Sequence, residues 1–117
     1  MYTAIHLSPM IPSDDIEKTA HFFKDLFHFS VVRADKNYII LSKDNLTIQI
    51  LNAGKEIGEM EFYLEVEGLD DLWQEMKNKL SGIKIKAPFD RDYGMREFHL
   101  IVPHTKTLLF VGQVIKN

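Results

Sequence analysis

The side chains best suited to chemistry in this sequence are Glu61, His6 and the run Tyr93-Gly94-Met95-Arg96-Glu97. Glu61 stands beside Phe62 and Tyr63. A carboxylate among aromatic rings can bind a cationic group or take a proton as a general base; at an open strand edge the same residue is simply solvated. His6 can act as an acid or base, although such a histidine is more often satisfied by a neighbouring backbone group. Arg96 offers a bidentate hold on a carboxylate or phosphate, and equally a surface ion pair with Glu97 or Asp92, which is worth little. The pairs Asp14-Asp15 and Asp70-Asp71 read as helix caps rather than catalytic dyads. His21 and His28 fall on the exposed side of a helix, and His99 falls on a strand whose facing is open. There is no cysteine, so disulfides, thiolate catalysis and thiolate metal sites are excluded. No nucleophile elbow, phosphate-binding glycine loop or His-Glu-x-x-His helix is present.

Two helices and a set of short strands must position these groups. Ile16, Thr19, Ala20, Phe23 and Phe27 recur at helical spacing, widened by Phe22 and Leu26. Asp14 followed by Glu17 has the form of a capping box. Leu69, Leu72, Trp73, Met76 and Leu80 repeat the stripe, with Asp70 and Asp71 near its start and Ser81-Gly82 as its stop. Trp73 on this stripe is read as a core residue before a stacking platform. Strands are expected at Val31-Val32, 38–42, 46–51, 61–66, 83–85, 98–102 and 107–111. The turns Lys43-Asp44-Asn45 and His104-Thr105-Lys106 make two hairpins. Residues 86–95 are expected to form a long loop, and 53–58 a linker.

The first stripe matches the second at a constant spacing of 53 residues, as from Ile16 to Leu69. Strand, helix, three strands, then the same again is the simplest summary. The expected fold is therefore α+β, with two βαβββ modules, about 1–53 and 59–117, forming a curled mixed sheet around a cleft in one domain spanning 1–117. A ferredoxin-like fold, the alternative at this length, places two strands rather than three after its first helix. The chain has 117 residues, 45% hydrophobic and 26% charged, with 17 acidic and 14 basic side chains and a net charge of -3. That balance gives no footprint for nucleic acid. No apolar run is long enough for a membrane span and no signal-peptide layout is present, so a cytoplasmic protein is expected.

Several motifs resemble one known family. Ile11-Pro12-Ser13-Asp14-Asp15-Ile16 through His21-Phe22-Phe23, the Phe27-His28-Phe29 segment, Tyr93-Gly94-Met95-Arg96-Glu97-Phe98 and Leu108-Leu109-Phe110-Val111-Gly112-Gln113 resemble, in order and spacing, the glyoxalase/bleomycin-resistance (vicinal oxygen chelate) superfamily. Pro9-Met10-Ile11-Pro12-Ser13 is most similar to bleomycin-resistance proteins. The family's Asp-Pro-Asp-Gly-Asn turn is replaced by Val102-Pro103-His104-Thr105-Lys106, and the usual Gly after the first helix is missing.

What the resemblance implies is a ligand cleft, often completed by a second copy, so a homodimer is expected. Metal enzymes of the family hold a divalent ion with His, Glu or Gln on the first and last strands of each module. Those positions fall here at Ser8, Glu61, Ile48 (or Gln49) and Leu109 (or Phe110). Glu61 keeps a good ligand, Gln49 adds another only if the register slips, and His6 could replace Ser8 if the strand shifts. A His6–Glu61 pair alone is a poor metal site, so no cofactor is expected and a divalent metal is the alternative. The cleft is expected to be lined by His6, Ser8, Tyr38, Ile48 and Glu61. Tyr63, Tyr93, Arg96 and Leu109 complete it. The function this points to is small-molecule binding, of an antibiotic-like compound or a metabolite, without chemistry. The alternative is a metal-dependent lyase, isomerase, dioxygenase or thiol transferase; a third is a regulatory module with an unused cleft.

Overall fold

The structure is a computed structural model that describes residues 1–116. Among these, strand β1 (Met10–Ser13) leads to helix α1 (Ile16–Phe27) and then to β2 (Ser30–Ala34), β3 (Tyr38–Lys43) and β4 (Leu46–Asn52). The second module follows with β5 (Glu59–Glu65), α2 (Leu69–Met76), a 3-10 turn (Lys77–Lys79), β6 (Ile85–Asp90), β7 (Met95–Ile101) and β8 (Lys106–Val114). The sheets have the orders β1-β4-β3-β2 and β5-β8-β7-β6. In each, the first and last strands of the module run parallel and the remaining pairs antiparallel. Three strands follow each helix, which is the βαβββ arrangement and not a ferredoxin-like one. The helices begin at Ile16 and Leu69, the same 53-residue spacing as the sequence stripes. No helix among the described residues is long and apolar enough to cross a membrane.

Local chemistry explains most boundaries. The cap of α1 is Asp15, not Asp14: its carboxylate accepts from the Lys18 N–H at 3.1 Å. Asp14 instead bonds His104 Nδ1 at 3.0 Å, and its N–H donates to the His104 carbonyl, tying α1 to the β7–β8 turn. Helix α1 ends in a left-handed His28 (φ 60), which takes the place where glycine is usual. Helix α2 has Gly68 at its cap and no side-chain partner there; the side chain of Gln113 on β8 accepts from the Leu69 N–H at 2.7 Å instead. The second helix stops at Met76, yet Leu80 beyond the 3-10 turn is still buried. The first half of the expected loop at 86–95 is strand β6, and its last residue, Met95, opens β7. Pro88 is tolerated there because β6 is an edge strand and carries a bulge between Lys86 and Phe89. Strand β1 starts at Met10, so His6 and Ser8 lie ahead of it.

Strand alternation decides which side chains meet the helices. Ile11, Ile39, Leu41, Ile48 and Ile50 do so in the first sheet, and Phe98, Leu100, Leu109 and Val111 in the second; all are buried in one core with Phe23, Leu26, Leu69 and Met76. The expectation that Ile48 and Leu109 line a cleft is corrected here. Both face the helices, and the open face at those rungs belongs to Gln49 and Phe110, because a shift of one residue moves a strand side chain to the opposite face. Leu109→Ala is therefore expected to lower stability by about 2–5 kcal/mol in urea unfolding. Phe110→Ala, on the open face, should cost clearly less.

Candidate functional site

The open face of the second sheet is organised by one carboxylate. On β7, Phe98 and Leu100 turn to the helices, so Glu97 and His99 turn the other way. The Glu97 side chain is fully buried (0% exposed). One of its oxygens accepts from the Tyr63 hydroxyl at 2.7 Å and the Tyr93 hydroxyl at 2.6 Å. The other accepts from Arg91 Nη1 at 3.1 Å and His99 Nε2 at 2.8 Å. Four strong donors thus converge on one acceptor group. Tyr63 comes from β5, Arg91 and Tyr93 from the turn between β6 and β7, and His99 from β7 itself.

Tyr63 must cross β8 to reach Glu97, and it crosses at Gly112. Gly112 pairs with Glu97 on one side and with Glu65 on the other. A Cβ at 112 would overlap the Tyr63 hydroxyl. The Tyr63 ring lies nearly parallel to Phe110, with centroids 6.2 Å apart and a 20° interplanar angle. His99 stands 4.2 Å from Phe110 and 5.2 Å from Phe89 between ring centres. The Arg91 guanidinium covers the Tyr93 ring at 4.7 Å, and the Lys86 ammonium covers Phe89 at 4.1 Å.

The electrostatics follow from this packing. Burial alone would raise the Glu97 pKa, but the bonds from Tyr93, His99 and Tyr63 and the charge of Arg91 outweigh it and hold the carboxyl below its ordinary range. The reciprocal effect falls on the phenols. Tyr63 is pushed well up by burial and by its bond to Glu97, and Tyr93 is pushed up chiefly by its bond to the same carboxylate. An ionised carboxylate only accepts, so the proton on His99 sits at Nε2. In the tautomer that this bond selects, Nδ1 is the acceptor.

The residues singled out from sequence are divided by the structure. Glu61, Tyr63 and Tyr93 share a hollow of about 270 Å³ with Phe62 and Phe110 on the second sheet. Tyr38 lies on the open face of the first sheet, beneath Arg33 at 5.7 Å. His6 and Ser8 lie in the segment before β1 and both bond Thr47: the His6 ring to its hydroxyl, the Ser8 hydroxyl to its carbonyl at 3.1 Å. Arg96 is not brought to the cleft. It points to the helix side, where it is ion-paired with Asp70 at 3.0 Å and Asp90 at 3.1 Å, neither of them the partner expected. Its neighbour Glu97 takes the open face, by the same one-residue alternation. Glu97, read from sequence only as a surface partner of Arg96, and His99, whose facing was open, are brought to the site; Arg91, Phe89 and Gly112 were missed as site residues. The signal was present in Arg96-Glu97-Phe98-His99-Leu100, where apolar residues at every second position place an acid and a histidine together on the other face.

Two oxygen donors, Glu61 and the open-face Gln49, remain at the marked positions, too few to hold a metal ion by themselves. Of the positions that the family resemblance marks, Ser8 is engaged by Thr47, and Phe110 fills the open-face position on β8 with a ring. Among the described residues no three His, Asp or Glu side chains are grouped so as to hold one.

No protein-family model and no curated protein matches this sequence. Solved structures do match. A bleomycin resistance determinant encoded on a transposon superposes with a TM-score of 0.79 at 24% identity, covering 95% of this chain and 98% of its own. A bleomycin-binding protein of Streptomyces verticillus, in complex with copper(II)-bleomycin, gives 0.77 at 16% identity, with 100% of both chains covered. A lactoylglutathione lyase of Agrobacterium tumefaciens gives 0.77 at 13%, covering 96% of this chain and 94% of its own. The chain has the glyoxalase/bleomycin-resistance fold. Within that fold the Glu97 cluster sits on the open side of the second βαβββ module, across the sheet from α2.

Two outcomes are expected. A lowered carboxyl pKa contributes stability that is complete above the ordinary carboxylate range and is lost as pH falls through the folded-state value. Urea unfolding below about pH 4 should therefore show a steep loss in the native protein and a shallower one in Glu97→Gln. Gly112→Ala should force Tyr63 away from Glu97, and ultraviolet titration should then show one phenol returning toward the ordinary tyrosine range.

Proposed function

We propose that this chain is a small-molecule binding protein that captures an antibiotic-like compound or metabolite on the aromatic open face of its second module, without chemistry and without a metal. The observation that carries the reading is the Glu97 cluster. It locks Tyr63, Tyr93, His99 and Arg91 in place around Phe110 and leaves no free carboxylate lone pair at the centre to serve as a base. A rigid platform of this kind needs little reorganisation on binding, which favours affinity. Bleomycin-binding proteins with the same fold support the reading.

The working unit is proposed to be a cytoplasmic homodimer of one domain each. Met1, Tyr2, Ile5 and Leu7 are almost fully exposed along the N-terminal segment, and Tyr63, Tyr93 and Val114 are exposed on or beside the open face of the second module. Covering these with a second copy would remove apolar surface from water and deepen the shallow hollow into a cleft.

A thermal-shift screen of chelator-treated protein against flat antibiotic-like compounds and metabolites tests this. A compound at about 100 times its dissociation constant should add about 2.7 kcal/mol of stability, with no metal present, while sedimentation reports a dimer. Stabilisation that appears only after a divalent ion is added would instead support the metal-dependent enzyme reading.

A further inference from the structure

Resting on that reading, we propose that the ligand is an elongated dipolar molecule, with a cationic end over β5, a flat unsaturated middle over Tyr63, Phe110 and His99, and an anionic end over β6. The inference comes from how charge is laid out across the open face. On β5 the core takes Met60, Phe62 and Leu64, so the open face carries Glu59, Glu61, Tyr63 and Glu65. Glu59 lies opposite Lys106 on β8, but Glu61 and Glu65 lie opposite Leu108 and Gly112. Neither of these two has an ion-pair partner among the described residues. Glu61 also lines the hollow that Tyr63, Tyr93 and Phe110 form.

At the opposite edge the sign is reversed. Lys86 is paired in register with His99, holds its ammonium over Phe89 and is likewise free of any carboxylate partner among the described residues. Arg91 lies over Phe89 and Tyr93 with one nitrogen given to Glu97. The nearby Asp90 is turned to Arg96 on the other face and does not neutralise Lys86, whereas the Arg91 charge is met by Glu97.

The sheet order β5-β8-β7-β6 places three strand spacings between the two edges, roughly 14 Å at about 4.8 Å each. That exceeds the screening length of about 8 Å at physiological salt, so the two poles cannot satisfy each other. Apart from Lys106 at the start of β8, opposite Glu59, the strands between them add no free charge on this face: Leu108, Phe110 and Gly112 on β8, and Ile101, His99 and the fully bonded Glu97 on β7. The Tyr63 and Tyr93 hydroxyls and His99 Nε2 donate to Glu97, which leaves the phenol oxygens and His99 Nδ1 as acceptors in the middle of the face. A ligand with an amidinium, guanidinium or amine at one end, N–H groups along a flat body and a carboxylate, sulfonate or phosphate at the other end meets all three zones.

The test uses three fluorescent stilbenes of similar length with chelator-treated full-length protein: one with an amidinium at one end and a sulfonate at the other, the diamidine, and the disulfonate. The dipolar probe should bind at least about tenfold more tightly than either symmetric one. Glu61→Gln should weaken the dipolar probe and the diamidine while sparing the disulfonate. Lys86→Gln should weaken the dipolar probe and the disulfonate while sparing the diamidine. Arg96→Gln, on the helix side, should change none of them. Equal binding of all three, a preference for the diamidine, or binding of none would overturn the dipolar assignment. The small-molecule reading itself stands or falls separately, on the thermal-shift screen of chemically diverse compounds.

Discussion

The open face of the second sheet depends on keeping one carboxylate ionised out of water. Removing an ion of this size from solvent costs several kcal/mol unless its lone pairs are filled. Glu97 meets that condition with two phenols, a guanidinium and an imidazole. Each donor comes from a different point in the chain, so the carboxylate fixes the relation of β5, the β6–β7 turn and β7 at once. The aromatic floor is a consequence: rings whose polar tips are held in this way cannot rotate freely, and their faces stay directed at solvent.

The two modules share their element order but not this chemistry. The rung that joins Tyr63, Phe110 and His99 in the second sheet corresponds to Met10, Gln49 and Ile40 in the first. The rung that joins Glu65, Gly112 and Glu97 corresponds to Pro12, Leu51 and Tyr38. Leucine at 51 fills the space that glycine leaves open at 112, so no ring could lie across that strand, and no acid waits on the far side. The repeat therefore supplies one scaffold twice and one hub per chain. The modules are joined through the Asp14–His104 contacts and a bond from the Thr19 hydroxyl to the Pro103 carbonyl at 2.9 Å, while His28 and Glu75 link the two helices at 2.6 Å.

Much of this architecture was legible in the residues. The helical stripes from Ile16 and Leu69, the hairpin turns near Asp44 and His104 and the count of three strands per module follow from periodicity and turn chemistry, which are local properties. Facing was less legible. A strand pattern states which residues alternate, but choosing the buried set needs the register of its neighbour, and a one-residue slip exchanges Ile48 for Gln49 and Leu109 for Phe110. Arg96 and Glu97 were confused in the same way. Strand β6 was obscured by Pro88, which reads as a loop residue unless the strand is known to be at an edge. The cap shifted from Asp14 to Asp15 because both are good caps, and a contact 90 residues away, with His104, claims the first.

The state of Glu97 also bears on whether this face binds or reacts. A general base needs a lone pair aimed at the substrate and a pKa near the working pH. Glu97 has neither: its lone pairs are taken by four donors, and its pKa is held below the carboxylate range. Protonating it would weaken all four bonds together and loosen the rings they hold. The phenols are no better placed as acids, since both are pushed up and both already donate to the carboxylate. What the cluster offers outward is a set of fixed acceptors and π faces bordered by opposite charges. Such a surface can discriminate among ligands by shape, polarity and charge layout, and it does so best while no proton moves.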